Sequence, residues 1–165
     1  MGSGRLQRTS FLAWTLLLAV FAGPSIAPLG AHPTAVAEAQ SQSLDAEAFR
    51  IQAAMHHEMA LLYLKNGEID KAVAEARQLI PKSIPPELEE AVAMSMSIIT
   101  DKLASANRFD LAQTLLDETF KATAQAAARV KILKNKSRLY LQAGEEEKAI
   151  EVWKRAQDLE ARIGK

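Results

Sequence analysis

Apolar residues recur at three- and four-residue spacing along residues 45–162, and nowhere do they alternate in the two-residue rhythm of a half-buried strand. The pattern predicts six helices. The first runs from about Asp45 to Asn66 and carries Phe49, Met55, Met59, Leu62 and Tyr63, preceded by a polar, frayed lead-in over Glu38–Ser43. The second runs from Ile69 to Ile80 on a Val73, Ala76, Leu79 stripe, and is ended by Pro81, Pro85 and Pro86. Pro86 then opens the third helix, with Glu87, Glu89 and Glu90 complementing its dipole and Val92, Met96, Ile99 and Leu103 leading to Ala106. A fourth covers Arg108 to about Phe120. An alanine-rich join over Ala122–Ala128 leads into a fifth ending at Ala143, and the sixth spans Glu145 to about Arg162. The predicted fold class is all-α.

Three segments repeat one another within this pattern. They read Tyr63-Leu-Lys-Asn-Gly67-Glu-Ile-Asp70-Lys-Ala72, Leu103-Ala-Ser-Ala-Asn107-Arg-Phe-Asp110-Leu-Ala112 and Tyr140-Leu-Gln-Ala-Gly144-Glu-Glu-Glu147-Lys-Ala149. Gly67, Asn107 and Gly144 are the residue types that accept a left-handed backbone at least cost. Asp70, Asp110 and Glu147 put a carboxylate in the first turn of the following helix, and Ala72, Ala112 and Ala149 let two helices approach closely. A helix–turn–helix unit is therefore expected three times, at intervals of 40 and 37 residues.

On these residues the chain resembles the tetratricopeptide repeats, whose unit recurs at 34 residues. Tyr63 and Tyr140 stand at the family's first-helix tyrosine, Gly67 and Gly144 at its turn glycine, and Ala72, Ala112 and Ala149 at the small residue opening its second helix. Ala60 and Ser137 match the small first-helix position, and Ala156 the late small one. Leu103, Thr100 and Leu79 depart from the pattern, and the first-helix tryptophan is missing, Trp153 lying on a second helix. The resemblance implies an α-solenoid of about three tetratricopeptide-like repeats over residues 38–165; a plain six-helix bundle is the alternative.

The N-terminus has a different character. Arg5 and Arg8 precede Phe11–Gly23, an uncharged apolar run of 13 residues. Spanning a bilayer takes about 20, so the run reads as the core of a secretory signal peptide over residues 1–37, with cleavage near Ala37 or Ala39. An uncleaved anchor is the alternative. The expected location is outside the cytoplasm, periplasmic or secreted if the source is bacterial, and membrane contact is expected only through the signal before cleavage.

Composition narrows the chemistry. The chain is formally neutral, and beyond residue 37 its 18 basic and 20 acidic residues leave −2, which argues against a nucleic-acid partner. There is no cysteine, hence no disulfide or thiol nucleophile. His56-His57-Glu58 is the nearest approach to a metal cluster, but adjacent helical residues point about 100° apart and no histidine follows at the four-residue spacing of a zinc helix. No phosphate loop, nucleophile elbow or paired-carboxylate motif occurs. Neither catalytic residues, metal ligands nor a cofactor are expected; the protein is read as a non-enzyme.

Two surfaces carry the functional expectation. Lys131, Lys134 and Arg138 share one face of the fifth helix, and the plain reading of such a stripe is a solvated charged face. By the family resemblance, first helices line a concave groove that grips peptides, and Lys134 and Arg138 fall where some chaperone-binding members hold a peptide carboxylate. His57, Leu61 and Ile98 stand where the rest of that clamp would be, so the resemblance implies a basic groove without a specific ligand. The expected site is Lys131, Lys134 and Arg138 with apolar contact from Leu61, Leu64 and Leu141, serving a protein or peptide partner. The second surface is the last helix, whose apolar residues exceed one inward stripe. Ile150 and Ile163 are expected to mediate a homo-oligomeric or heteromeric contact, and a self-associating structural bundle of the cell envelope is the alternative function.

Overall fold

A computed structural model describes residues 33–82 and 84–164, with side chains from Leu44 onward. The apolar run Phe11–Gly23 and its two arginines lie outside the described residues, so the signal-peptide reading rests on sequence. The described residues from Gln42 onward form one compact unit, to which the core and the site belong. Among the described residues the chain is all helical: α1 (Pro33–Lys65), α2 (Ile69–Gln78), a 3-10 turn (Pro86–Leu88), α3 (Glu89–Ser105), α4 (Phe109–Ala122), α5 (Ala126–Gln142) and α6 (Glu146–Ile163).

The first helix departs from the sequence expectation. It begins at Pro33, so that Glu38–Ser43 is helical and not a frayed lead-in, and Ala37 and Ala39 both lie in its backbone. Proline suits a first helical position, and the residues after it are mostly alanine, glutamate and glutamine with no glycine before Gly67. The alanine-rich join is likewise shorter than expected. Only Thr123–Gln125 separate α4 from α5, because alanine favours helix on both sides.

Three turns share one hydrogen-bond scheme. The amide of the left-handed residue donates to the carbonyl three residues back: Gly67 to Leu64, Asn107 to Ala104 and Gly144 to Leu141, at 2.9–3.1 Å. The next amide donates five residues back: Glu68 to Tyr63, Arg108 to Leu103 and Glu145 to Tyr140, at 2.8–2.9 Å. Together these close the end of one helix in a Schellman motif. The left-handed φ values are +77° at Gly67, +60° at Asn107 and +77° at Gly144. The carbonyls of Glu68, Arg108 and Glu145 then accept the first bond of the following helix, from Ala72, Ala112 and Ala149. All three alanines are buried, as are Ala60, Thr100 and Ser137 on the facing helices. The Ser137 hydroxyl donates to the Ala149 carbonyl at 2.8 Å, tying the close approach of α5 and α6.

The helices pack with near neighbours in the chain. α3 meets α2, α4 and α5, α4 meets α2 and α5, and α5 meets α6. Leu79, Met96, Ile99, Leu103, Leu115, Leu116 and Leu139 form the main core, while Leu133, Val152 and Ala156 form a smaller one. Phe120 packs against both.

Glu89 has a role its sequence context concealed. Read with Glu87 and Glu90 as a dipole-complementing acid, it is instead buried, and its carboxylate accepts from the amides of Ala124 (3.0 Å) and Gln125 (2.6 Å). The start of α3 thereby holds the α4–α5 turn, whose Thr123 carbonyl also accepts from Arg129 at 2.7 Å.

Ala149→Leu should overpack the α5–α6 contact and lower stability by about 1–3 kcal/mol, whereas Gly144→Val, which meets nothing within 4 Å of its first carbon, should cost about 1–2 kcal/mol through backbone strain alone. Urea melts measure both, and two unchanged midpoints would refute the turn geometry. Glu89→Ala removes the buried carboxylate that accepts from the Ala124 and Gln125 amides and should cost about 1–3 kcal/mol, with Glu89→Gln losing less because it keeps one carbonyl acceptor. Equal midpoints for wild type and Glu89→Ala would remove Glu89 from the fold's supports.

Candidate functional site

α3 and α5 lie side by side, and small residues on α3 leave room between them. Ala93 and Ser97, with Met94, face Lys131, Lys134, Asn135 and Arg138 across a groove of about 400 Å³. Positions 131, 134, 135 and 138 fall on one face of α5 because helical residues three and four apart are neighbours. The structure thus brings together the three cations expected from the sequence. Leu61 and Leu64 do not join them, being partly buried and packed against the main core. Leu141 is exposed on α5 beyond Arg138, outside the groove lining.

The groove is not a bare basic surface. Arg138 Nη2 donates to both carboxylate oxygens of Asp101 at 2.7 Å, Lys131 pairs with Glu90, and Lys134 pairs with Glu160 at 2.8 Å. Three cations therefore meet three anions, the first two pairs joining α5 to α3 and the third joining it to α6. Lys134 Nζ also stands 5.8 Å from the centre of the Trp153 ring. These side chains are substantially exposed, so each pair contributes at most about 1 kcal/mol and yields to a competing ligand.

Beneath the charged rim lies a buried polar chain. Arg138 Nη2 also donates to Asn135 Oδ1 at 2.6 Å, and weakly to Ser97 Oγ at 3.3 Å. Asn135 Nδ2 donates to Thr100 Oγ1 at 3.0 Å, and that hydroxyl donates to the Met96 carbonyl at 2.7 Å. Buried amides are costly unless paired, so Asn135 orients Arg138 from below while Asp101 holds it from the side. Asn135 and Asp101 escaped the sequence reading: one is a neutral residue among lysines and the other lies 37 residues from its arginine, so no local spacing links them.

Among the described residues, no group of three or more His, Asp or Glu side chains is placed to hold a metal ion, and no helix is long and apolar enough to cross a membrane. His56 Nδ1 lies 2.7 Å from Glu75 Oε2, joining α1 to α2. His57 is buried instead, and Ile98 is exposed, so neither adds a polar group to the groove. Ile150 and Ile163 are both exposed on α6, as is Trp153. No family model, curated protein or solved structure matches this chain.

Burial pushes the His57 pKa below its ordinary value, because desolvation penalises the imidazolium. The unfolded chain therefore binds the proton more readily. The stability due to neutral His57 is complete above about pH 6.5, the unfolded value, and falls as pH drops below it. Urea midpoints at pH 7.5 and pH 5.5 should differ in the wild type and differ less in His57→Gln. Equal pH sensitivity in both chains would show that other groups govern the acid limb.

Proposed function

We propose that this chain is a non-catalytic, exported adaptor of tetratricopeptide-like repeats that binds an extended peptide segment of a partner protein in the α3–α5 groove. The observation that carries this reading is the groove itself: a cleft between two first helices, floored by Ala93 and Met94 and rimmed by Lys131, Lys134 and Arg138. The repeat reading is supported by three turns with one hydrogen-bond scheme and one buried-alanine register. Export is inferred from the apolar N-terminal run, by sequence pattern.

The ligand chemistry follows from the rim. A guanidinium has five N–H donors, and the contacts of Arg138 to Asp101, Asn135 and Ser97 run through Nη2. Arg138 thus has donors to offer a ligand carboxylate or carbonyl while keeping its hold on Asp101. Lys131 and Lys134 would each exchange an exposed internal partner for an acidic group of the ligand. The best ligand on these grounds is an extended segment with acidic and small apolar side chains, and its binding weakens as salt rises.

An array of short acidic peptides, probed with the purified protein, tests the reading. Arg138→Glu and Lys134→Glu should each reduce binding about tenfold, a loss of roughly 1.4 kcal/mol, while the thermal melt of Lys134→Glu stays close to wild type. Binding that survives both reversals would move the site out of this groove; a wild-type chain that captures no acidic peptide would refute the proposed ligand class.

A further inference from the structure

The register set by the three turns relates each residue of the last helix pair to residues 77 and 37 positions earlier. At that register Leu141 corresponds to Leu64 and Ala104, Ile150 to Val73 and Gln113, and Trp153 to Ala76 and Leu116. In the earlier units these positions are buried or half-buried, Gln113 and Leu64 being the half-buried ones. Ala104, Val73, Ala76 and Leu116 are at most 7% exposed, and Leu64 is packed against the core. On the last unit the same positions are 43–56% exposed. Leu141, Ile150 and Trp153 therefore present the kind of surface that, inside the molecule, receives the first helix of a following unit.

The other half of such a junction is exposed on α1. Ile51, Met55 and Leu62 correspond to Ala128, Ile132 and Leu139 on α5. Those three are at most 1% exposed, whereas Ile51, Met55 and Leu62 are 49–62% exposed. Large apolar side chains thus stand on α1 where α5 buries its contact with the helices before it; on α3 the same positions are the half-buried Ala91, the buried Ser95 and the exposed Lys102. The charges agree with the apolar match. In the internal α3–α5 junction, Arg138 Nη2 touches both Asp101 and Asn135, which brings those two positions together. At the same register the position of Asn135 is held on α1 by Glu58, and the position of Asp101 is held on α5 by Arg138. An end-to-end junction would set the Glu58 carboxylate beside a guanidinium.

We propose that the chain associates head to tail with a second copy of itself, the Leu141, Ile150 and Trp153 face of one copy packing against the Ile51, Met55 and Leu62 face of α1 in the next. The proposal rests on the repeat reading and not on the ligand of the groove. The interface is heterologous: each copy keeps one unused half, so association continues into open arrays unless the rotation closes a ring. It reuses an internal junction, the way repeat arrays gain stability from nearest-neighbour contacts. Ile163 corresponds to the exposed Pro86 at this register and takes no part.

Sedimentation velocity of the full chain tests this, with Met55→Glu blocking one face and Ile150→Glu the other. Both positions are more than half exposed, so neither variant should disturb the fold. Wild type should form species larger than a dimer that grow with concentration, and each variant alone should weaken association at least tenfold. An equimolar mixture of the two should give a dimer that grows no further, since one intact face remains on each copy. A wild type that stays monomeric overturns the proposal, as does a mixture that remains monomeric. A symmetric dimer that Ile150→Glu breaks and Met55→Glu leaves intact also overturns it. Any of these results beside a destabilised Ala149→Leu leaves the repeat reading standing, whereas a tolerated Ala149→Leu removes the register on which both rest.

Discussion

The structure depends on reversing the chain within two residues, three times, in the same way. One left-handed residue lets two amides turn back to carbonyls of the finished helix, and the following residue offers its own carbonyl to the new one. Few backbone polar groups are then left to water at a helix end that would otherwise orphan four carbonyls. A fixed turn also fixes which faces meet. Because Ala72, Ala112 and Ala149 all follow at the same distance, each returning helix presents its smallest side chain at the point of nearest approach. The geometry requires all three features together: a bulky residue at the alanine position would force the helices apart even if the turn closed correctly.

Between units, a second kind of contact takes over. Glu89 reaches from the start of α3 to the α4–α5 turn, Arg77 of α2 holds Glu118 of α4 at 3.1 Å, and Lys136 of α5 pairs with Asp117 of α4. The exposed pairs add little free energy each; their effect is to select one alignment of each helix on the next. Glu89 differs because its carboxylate is buried and its acceptors are used by main-chain amides, so its loss would remove the side chain that fixes the α4–α5 turn. The α4–α5 turn has no left-handed residue of its own, and a carboxylate from elsewhere in the chain does the work that Gly67, Asn107 and Gly144 do locally.

That contrast explains what could be read from the residues alone. Helix count, turn positions and the close-packed alanines are local: spacing within ten residues encodes them, and Gly67, Asn107 and Gly144 adopt the expected left-handed backbone. The starts of α1 and α5 are not legible in the same way, because polar and alanine-rich stretches have no apolar stripe to announce a helix, although their propensity favours one. The site was half visible. Lys131, Lys134 and Arg138 share a face by periodicity, but their neutralisation by Glu90, Glu160 and Asp101 is tertiary, linking residues 26 to 41 positions apart. Leu61 and Leu64 looked like groove residues because any apolar residue on a first helix fits either side, and the core claimed them.

The polarity of the groove and the apolarity of the two end faces express one division of labour along each first helix. On the repeat reading proposed above, a residue on such a helix faces the preceding unit, the following unit or the open groove, and α5 would illustrate all three. Ile132 and Leu139 are buried against what comes before, Leu141 stands where a following unit would cover it, and Lys131, Lys134 and Arg138 rim the groove. Asn135 sits at the border between buried and open, which is why it alone of the groove residues is both buried and polar, and why its amide bonds run inward to Thr100 and outward to Arg138. Arg138 lies at that border too, sharing Asp101 with the unit before it. A ligand of the proposed kind that drew on Arg138 would therefore act on the α3–α5 junction as well as on the groove, coupling its binding to the packing of those helices through one guanidinium.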